Sequence, residues 1–296
     1  MLLTICVMLV SFLPSASTDE WTKTYNLEST PKVRLHTSDA NIRVRASEGH
    51  TVVARVTTEG WNIGGDGINI LEHQAGDNID IEIRFPRTAF QINWGNRRVD
   101  IEIKVPSEAD LDLHTGDGNV DLEGVRGTIA VRSGDGKLKL LDLQGSLQAH
   151  TGDGDIDLRN VRGELTLHTG DGRIEATGID GSLRAETGDG RISVSGRFDG
   201  LDVRTGDGGI QASALAGSKL SADWVLRTGD GDLTMRVQAT LDAEVELQTN
   251  DGHIDLDLPV TVMGRAGKRE IRGRINGGGK LLSLKTGDGS IRLERL

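Results

Sequence analysis

An all-β fold, a single-chain β-solenoid, follows from three features of the sequence. A tetrapeptide of the form [Ser/Thr]-[Gly/Asn]-Asp-Gly begins at Thr115, Ser133, Thr151, Thr169, Thr187 and Thr205 with a constant step of 18 residues, then at Thr228, Thr249 and Thr286 after longer intervals; a degenerate copy, TSDA, begins at Thr37. On both sides of each copy apolar and polar residues alternate, the period of a half-buried strand rather than of a helix. The 40 glycines against 5 prolines, with aromatics at only 3%, describe a chain that turns often and repeats, without collagen-like or proline-rich character.

The alternation keeps one register throughout. With the Thr or Ser counted as zero, positions −4 and −2 before the corner and +5 and +7 after it are apolar in all ten copies, as Leu147, Ala149, Ile156 and Leu158 are around Thr151. Between them, position −1 carries His114, Arg132, His150, His168 and Glu186, and position +6 carries Asp121, Lys139, Asp157 and Glu175. Those rows face water, so each repeat is a short strand, a corner and a second short strand with one buried face. A second corner holds an apolar residue, Val125, Leu143, Val161 or Ile179, followed two positions later by Gly127, Gly145, Gly163 or Gly181. The register survives where the spacing changes, which places the insertions in connections.

A flat meander of such units leaves its apolar face uncovered, and strands this short fall below the roughly 9 to 11 residues that a membrane barrel needs. The period also misses the roughly 40 to 45 residues of a propeller blade. A solenoid remains: about ten coils of two strands each, stacked at about 4.8 Å, giving roughly 50 Å of length. Along the chain this divides into an N-terminal capping part with the degenerate coil (residues 18–110), regular coils (111–217), and irregular coils with insertions and a cap (218–296). The capping part contains the strand-like runs IDIEIRF and VDIEIKV together with Trp61 and Trp94.

The opening MLLTICVMLVSFLPSASTDEW has an apolar run from Leu2 to Leu13 followed by Ser15, Ala16 and Ser17. It has the form of a secretory signal peptide over residues 1–17, or of an uncleaved anchor, although a Lys/Arg-bearing start is missing. Export to the periplasm, envelope or medium is the expectation. Cys6, the sole cysteine, lies in this run, so the exported chain holds no disulfide; Ile5 is too bulky for a lipoprotein site. No other segment approaches the roughly 20 apolar residues of a membrane helix. With 36% apolar and 27% charged residues the chain is a folded protein, and a net charge of −11 without a clustered Lys/Arg surface argues against a nucleic-acid partner.

The corner sequence Gly-Asp-Gly has a structural reading: glycine takes positive φ freely and aspartate hydrogen-bonds its own turn. It also has a chemical one. Stacking places Asp117, Asp135, Asp153, Asp171, Asp189 and Asp207 in one column, where neighbours about 4.8 Å apart repel by roughly 0.9 kcal/mol even in water, so a bound cation would relieve them. The calcium-binding motif of β-rolls does not fit, since the position needing Asp is the buried Ile156. His114, His150 and His168 share one outward row but lack the third and fourth converging ligands of a zinc site. An enzyme would need a local departure from the repeat, and the candidates are Arg265, Lys268, Arg269 and Glu270 in the basic insertion before the last coil. The structural reading is preferred throughout, with no cofactor, no resident metal and no catalytic residue expected. The alternatives are a carbohydrate-active β-helix enzyme, a lyase or hydrolase, and a cation-stabilised repeat module.

Three stretches, VRLHTSDANIRV near the start, the coils from Leu111 to Ala212, and LLSLKTGDGSIRLERL at the end, resemble the bacterial toastrack family of adhesin-like β-strand-repeat domains of unknown function. The resemblance covers residues 20–296. It implies a β-helix-like fold on exported or envelope-attached proteins, a role in surface adhesion or envelope-stress sensing, and no catalytic residues to carry over. The expected partner is a protein or glycan at the cell surface, and the expected role is a non-enzymatic scaffold or interaction surface.

Overall fold

The computed structural model describes residues 18–86, 97–263 and 267–296, and every regular element in them is a β-strand. The N-terminal strands are β1 (Thr18–Asn26), β2 (Lys32–Thr37), β3 (Asn41–Ser47), β4 (Thr51–Glu59), β5 (Asn69–Ala75), β6 (Asn78–Arg84) and β7 (Arg98–Pro106). The regular coils supply β8 (Asp110–His114), β9 (Val120–Glu123), β10 (Arg126–Arg132), β11 (Leu138–Leu141), β12 (Gln144–Thr151), β13 (Ile156–Arg159), β14 (Arg162–Thr169), β15 (Ile174–Thr187), β16 (Ile192–Thr205) and β17 (Ile210–Ala214). The last part supplies β18 (Trp224–Arg227), β19 (Leu233–Val237), β20 (Ala243–Thr249), β21 (Ile254–Leu256), β22 (Thr261–Val262), β23 (Glu270–Ile275), β24 (Leu281–Thr286) and β25 (Ile291–Arg295).

These strands form a β-solenoid with two parallel walls. The strands entering the Thr-Gly-Asp-Gly corner make the first wall, in the order β6, β2, β8, β10, β12, β14, β15, β16, β18, β24, β20. Those leaving it make the second, in the order β7, β3, β9, β11, β13, β15, β16, β17, β19, β25, β21. Strands β15 and β16 run through the second corner without a break and serve both walls. Thirty-eight of the forty predicted core positions are buried; Ile254 and Leu256, on β21 at the end of the second wall, are half-buried because no further coil covers them.

The rungs do not follow chain order at the ends. At the start, β6 and β7 form a rung outside β2 and β3, so the degenerate TSDA coil is second in the stack. At the finish, the C-terminal pair β24 and β25 slides between the Thr228 coil and the Thr249 coil. Sequence register alone carries no information on this, since like positions align in any order of stacking. Antiparallel strands then close the exposed edges: β5 covers β6, β4 covers β7 with β1 outside it, and β23 covers β20 with β22 outside it. A parallel edge left open would template association with another chain.

Two kinds of glycine hold the corners. In the second corner Gly127, Gly145, Gly163 and Gly181 sit at φ of 148°, 123°, 129° and 136°, a region open to glycine. The glycines of the Thr-Gly-Asp-Gly corner are different from the expectation, for none of them has positive φ. Their requirement is space: a Cβ on Gly154 or Gly172 would lie under 3.0 Å from the carbonyl of Gly136 or Gly154 on the preceding rung. Backbone pairing explains the closeness, because the amides of Gly134, Gly152, Gly170, Gly188 and Gly206 each donate to the carbonyl of the corresponding glycine one rung earlier.

At the N-terminal end Tyr25 of β1 is buried and its hydroxyl donates to Glu72 of β5 at 2.6 Å, tying the cap of one wall to the cap of the other. That bond, then Lys23 at 2.9 Å, holds the Glu72 carboxyl below its ordinary value of 4.5, while burial and then Glu72 push the Tyr25 hydroxyl up.

Two outcomes are expected. Gly172→Ala, which adds one methyl at the closest approach, should destabilise the fold by about 3 kcal/mol in urea denaturation. Tyr25→Phe should cost about 1.5 kcal/mol at pH 7. Because the Glu72 value is depressed in the folded state, its contribution is present above pH 4.5 and lost as the pH falls through the folded value, so Tyr25→Phe should also flatten the acid limb of the stability curve.

Candidate functional site

The corner column is the first place to seek chemistry. Asp117, Asp135, Asp153, Asp171, Asp189 and Asp207 are all exposed at the tips of successive corners, and none of them forms an ion pair among the described residues. Asp39, in the same column on the degenerate coil, has its carboxyl raised by partial desolvation and then by the charge of Asp117. The expectation that each aspartate bonds its own turn is not met. The Thr or Ser at position zero does that instead: the Gly136, Gly172, Gly231 and Gly252 amides donate to Ser133, Thr169, Thr228 and Thr249 at 3.0–3.2 Å.

The same hydroxyls also reach across rungs. Thr151, Thr169, Thr187 and Thr205 donate to the carbonyls of Gly136, Gly154, Gly172 and Gly190 at 2.9 Å, and Thr249 and Thr286 do likewise to Gly289 and Gly231 at 2.8 and 2.9 Å. These threonines are buried, so they form no exposed array. Their hydroxyls are fully committed to architecture, and the aspartates beside them are left to solvent.

The outward rows of the walls are the remaining surface. Near the N-terminal end of the second wall, position +6 alternates in sign across Glu102, Arg43, Asp121, Lys139 and Asp157. Further along, Thr177, Ser193, Ser195, Gln211, Ser213 and Thr234 occupy adjacent outward places on β15, β16, β17 and β19, bounded by Glu175 on one side and Arg236 on the other. This strip is uncharged on a protein whose net charge is −11.

The described enzyme candidates lie on the C-terminal cap. Arg265 lies outside the described residues, as do Trp94 and the Leu2–Leu13 run. Lys268, Arg269 and Glu270 are exposed at the start of the cap strand β23, where Arg269 pairs with Asp251 at 3.0 Å and Glu270 with Arg272 at 2.9 Å. The basic insertion thus supplies an edge cover, with Arg269 and Arg272 paired to acidic neighbours. A depression of about 690 Å³ lies elsewhere, among the loops around Ser218, Gln238, Asp242 and Lys280.

Residues 31–294 match the family described as Toastrack DUF4097. The chain belongs to the Toastrack family. Among solved structures, this Toastrack chain is similar to a proposed adhesin from Bacteroides fragilis (15% identity, covering 94% of this chain and 98% of that one, TM-score 0.43). It is also similar to a proposed lipid-binding protein from Parabacteroides distasonis (12%, 93% and 96%, 0.40) and to a proposed adhesin from Parabacteroides merdae (10%, 93% and 95%, 0.37). No curated protein matches the chain significantly. Among the described residues no helix of this Toastrack protein is long and apolar enough to cross a membrane.

Sequence reasoning places His114, His150 and His168 in one outward row, and the structure keeps them there, with His150 and His168 stacked at 4.8 Å between ring centroids. It missed His36, which stacks on His114 at 4.6 Å. His36 belongs to the degenerate TSDA copy, and only the wall order brings it beside His114. Among the described residues no group of three or more His, Cys, Asp or Glu side chains stands converged on a metal position.

The corner's division of labour has a measurable consequence. Thr169→Val should destabilise by about 2 kcal/mol, because it leaves a buried carbonyl unbonded, whereas Asp171→Asn should change stability by less than about 0.5 kcal/mol. Thermal melting with calcium and with chelator should coincide, and a large rise in calcium would show that the aspartate column binds cations.

Proposed function

We propose that this protein is an exported, non-enzymatic envelope scaffold whose second wall presents a recognition face to a protein or glycan at the cell surface. The neutral strip from Thr177 to Thr234 carries this reading. A binding face has to differ from a merely solvated one, and here hydroxyl and amide groups stand in register where the N-terminal part of the wall alternates in charge. Such groups exchange water for a polar partner at a lower desolvation cost than carboxylates or ammonium groups do. Membership in the Toastrack family and the signal-like apolar run at the N-terminus support the envelope setting.

No group of residues in the regular coils departs from the repeat as a catalytic cluster would, and the basic insertion is occupied in capping β20. Placing a charge in the strip tests the reading. Ser195→Arg combined with Ser213→Arg should weaken binding to envelope fractions and glycan arrays by about tenfold or more while leaving the melting temperature unchanged, as a disrupted centre of an interface does. Undiminished binding by the variant, or depolymerisation of a glycan by the unaltered protein, would contradict it.

A further inference from the structure

Rung order brings three enlarged connections to one place. In the regular coils the second corner is short, residues 124–125, 142–143 and 160–161 between the strands that flank them. In the C-terminal part, residues 215–223 lead into β18, 238–242 into β20 and 276–280 into β24. Because β24 lies between β18 and β20 in the first wall, these three connections stand side by side at its second-corner edge. Among them lies the depression of about 690 Å³, a volume in the range of small-ligand sites.

We propose that this depression binds an acidic saccharide, a chain of sugar rings bearing carboxylates, and serves as the specificity pocket of the recognition face on the second wall. The inference rests on that reading of the wall, whose neutral strip leads into the depression on two strands. Ser213 of β17 precedes the lining residue Ala214, and Thr234 of β19 leads through Arg236 to the lining residue Gln238.

The lining supplies the groups that such a ligand needs. Among the described residues the lysines in ion pairs are Lys23 and Lys285, which leaves the exposed Lys219 and Lys280 of the depression with their charges unanswered. Two cations against the one carboxylate of Asp242 give the lining a positive balance on a protein whose net charge is −11, which selects an anionic ligand. Asp242 accepts the Gly277 amide at 3.0 Å on one oxygen and keeps the other for ring hydroxyls. The Gln238 amide and the Thr240 hydroxyl form no hydrogen bond among the described residues and are available to the same hydroxyls. Beneath them Leu241 is buried and Leu220 half-buried, an apolar floor for the C–H face of a ring. An acyl chain asks instead for enclosed apolar walls, whereas Lys219, Thr240, Asp242 and Lys280 open to solvent. The Ser218 hydroxyl is spent on the loop itself, donating to the Leu215 carbonyl at 2.7 Å and accepting the Phe198 amide at 3.1 Å.

The site is also held ready. The Asn276 side-chain amide donates to the carbonyls of Ala239 and Leu241 at 2.8 and 2.9 Å, tying two of the connections together. The Lys219 amide donates to the Phe198 carbonyl at 2.9 Å, fastening the third to the preceding rung. Little ordering is left for the ligand to impose.

Isothermal titration of the full chain with tetragalacturonate, and with maltotetraose as a neutral chain of the same length, tests the inference. Tetragalacturonate should bind about tenfold or more tightly than maltotetraose at low salt, and added salt should narrow the difference. Lys219→Gln combined with Lys280→Gln should remove the preference; both side chains are exposed on connections, so an unchanged melting temperature serves as the control for folding. Equal binding of the two saccharides, or a preference undiminished in the double variant, would overturn the inference. No binding of tetragalacturonate by a protein that still binds envelope fractions through Ser195 and Ser213 would overturn it alone, and loss of both would overturn the reading of the wall as well.

Discussion

The structure depends on how closely one corner lies upon the next. At Thr-Gly-Asp-Gly the backbone pairing that joins strands in each wall does not stop; it continues through the bend, glycine amide to glycine carbonyl. That spacing excludes any side chain at the two glycines. It also brings the buried hydroxyl of position zero within reach of a carbonyl on the preceding rung. The tetrapeptide is therefore an interlock. Once it is stacked, the apolar positions on both sides are forced into alignment inside the walls, and the outward rows are forced into alignment outside them.

Ends are the difficulty of any such stack. Here each terminus solves it by placing a later-built rung outside an earlier one, or an earlier-built rung outside the last. The rung of β6 and β7 overlies the first coil, and the final pair β24 and β25 fills an inner slot beneath β20 and β21. Antiparallel strands then cover the outermost edges, except at the short β21, whose exposed Asp255 and Asp257 and following Pro259 discourage pairing. Because β24 and β25 come last in the chain and sit inside, the C-terminal end of the stack closes through contacts that are far apart in sequence.

Much of this was legible in the residues. The period-2 rows named the core, because burial on one face of a strand leaves a mark at each second position, and Leu113, Ile156 and their counterparts are inside. The reason for the glycines was not legible: positive φ and close approach both select Gly, and only the coordinates separate Gly145, which needs both, from Gly154, which needs the second alone. Rung order was hidden for a similar reason, since register is preserved under any stacking. With it went the neighbours of His36, and Glu82, whose strand carries no Thr-Gly-Asp-Gly to align it. The neutral strip on the second wall was present in the sequence as Ser193, Gln211 and Thr234, but its extent became visible only when β16, β17 and β19 were set side by side.

The corners and the interior hold the stack, and the outward rows face solvent. Hydrogen exchange observed by NMR tests the interlock most directly. If corners are bonded rung to rung, the amides of Gly134, Gly152, Gly170 and Gly188 exchange as slowly as those of the core strand position Leu165, although they lie at the tips of turns. Exchange as fast as that of the exposed loop residues Ala216 and Gly217 would mean that the corners are not interlocked and that the stack is held by its interior alone.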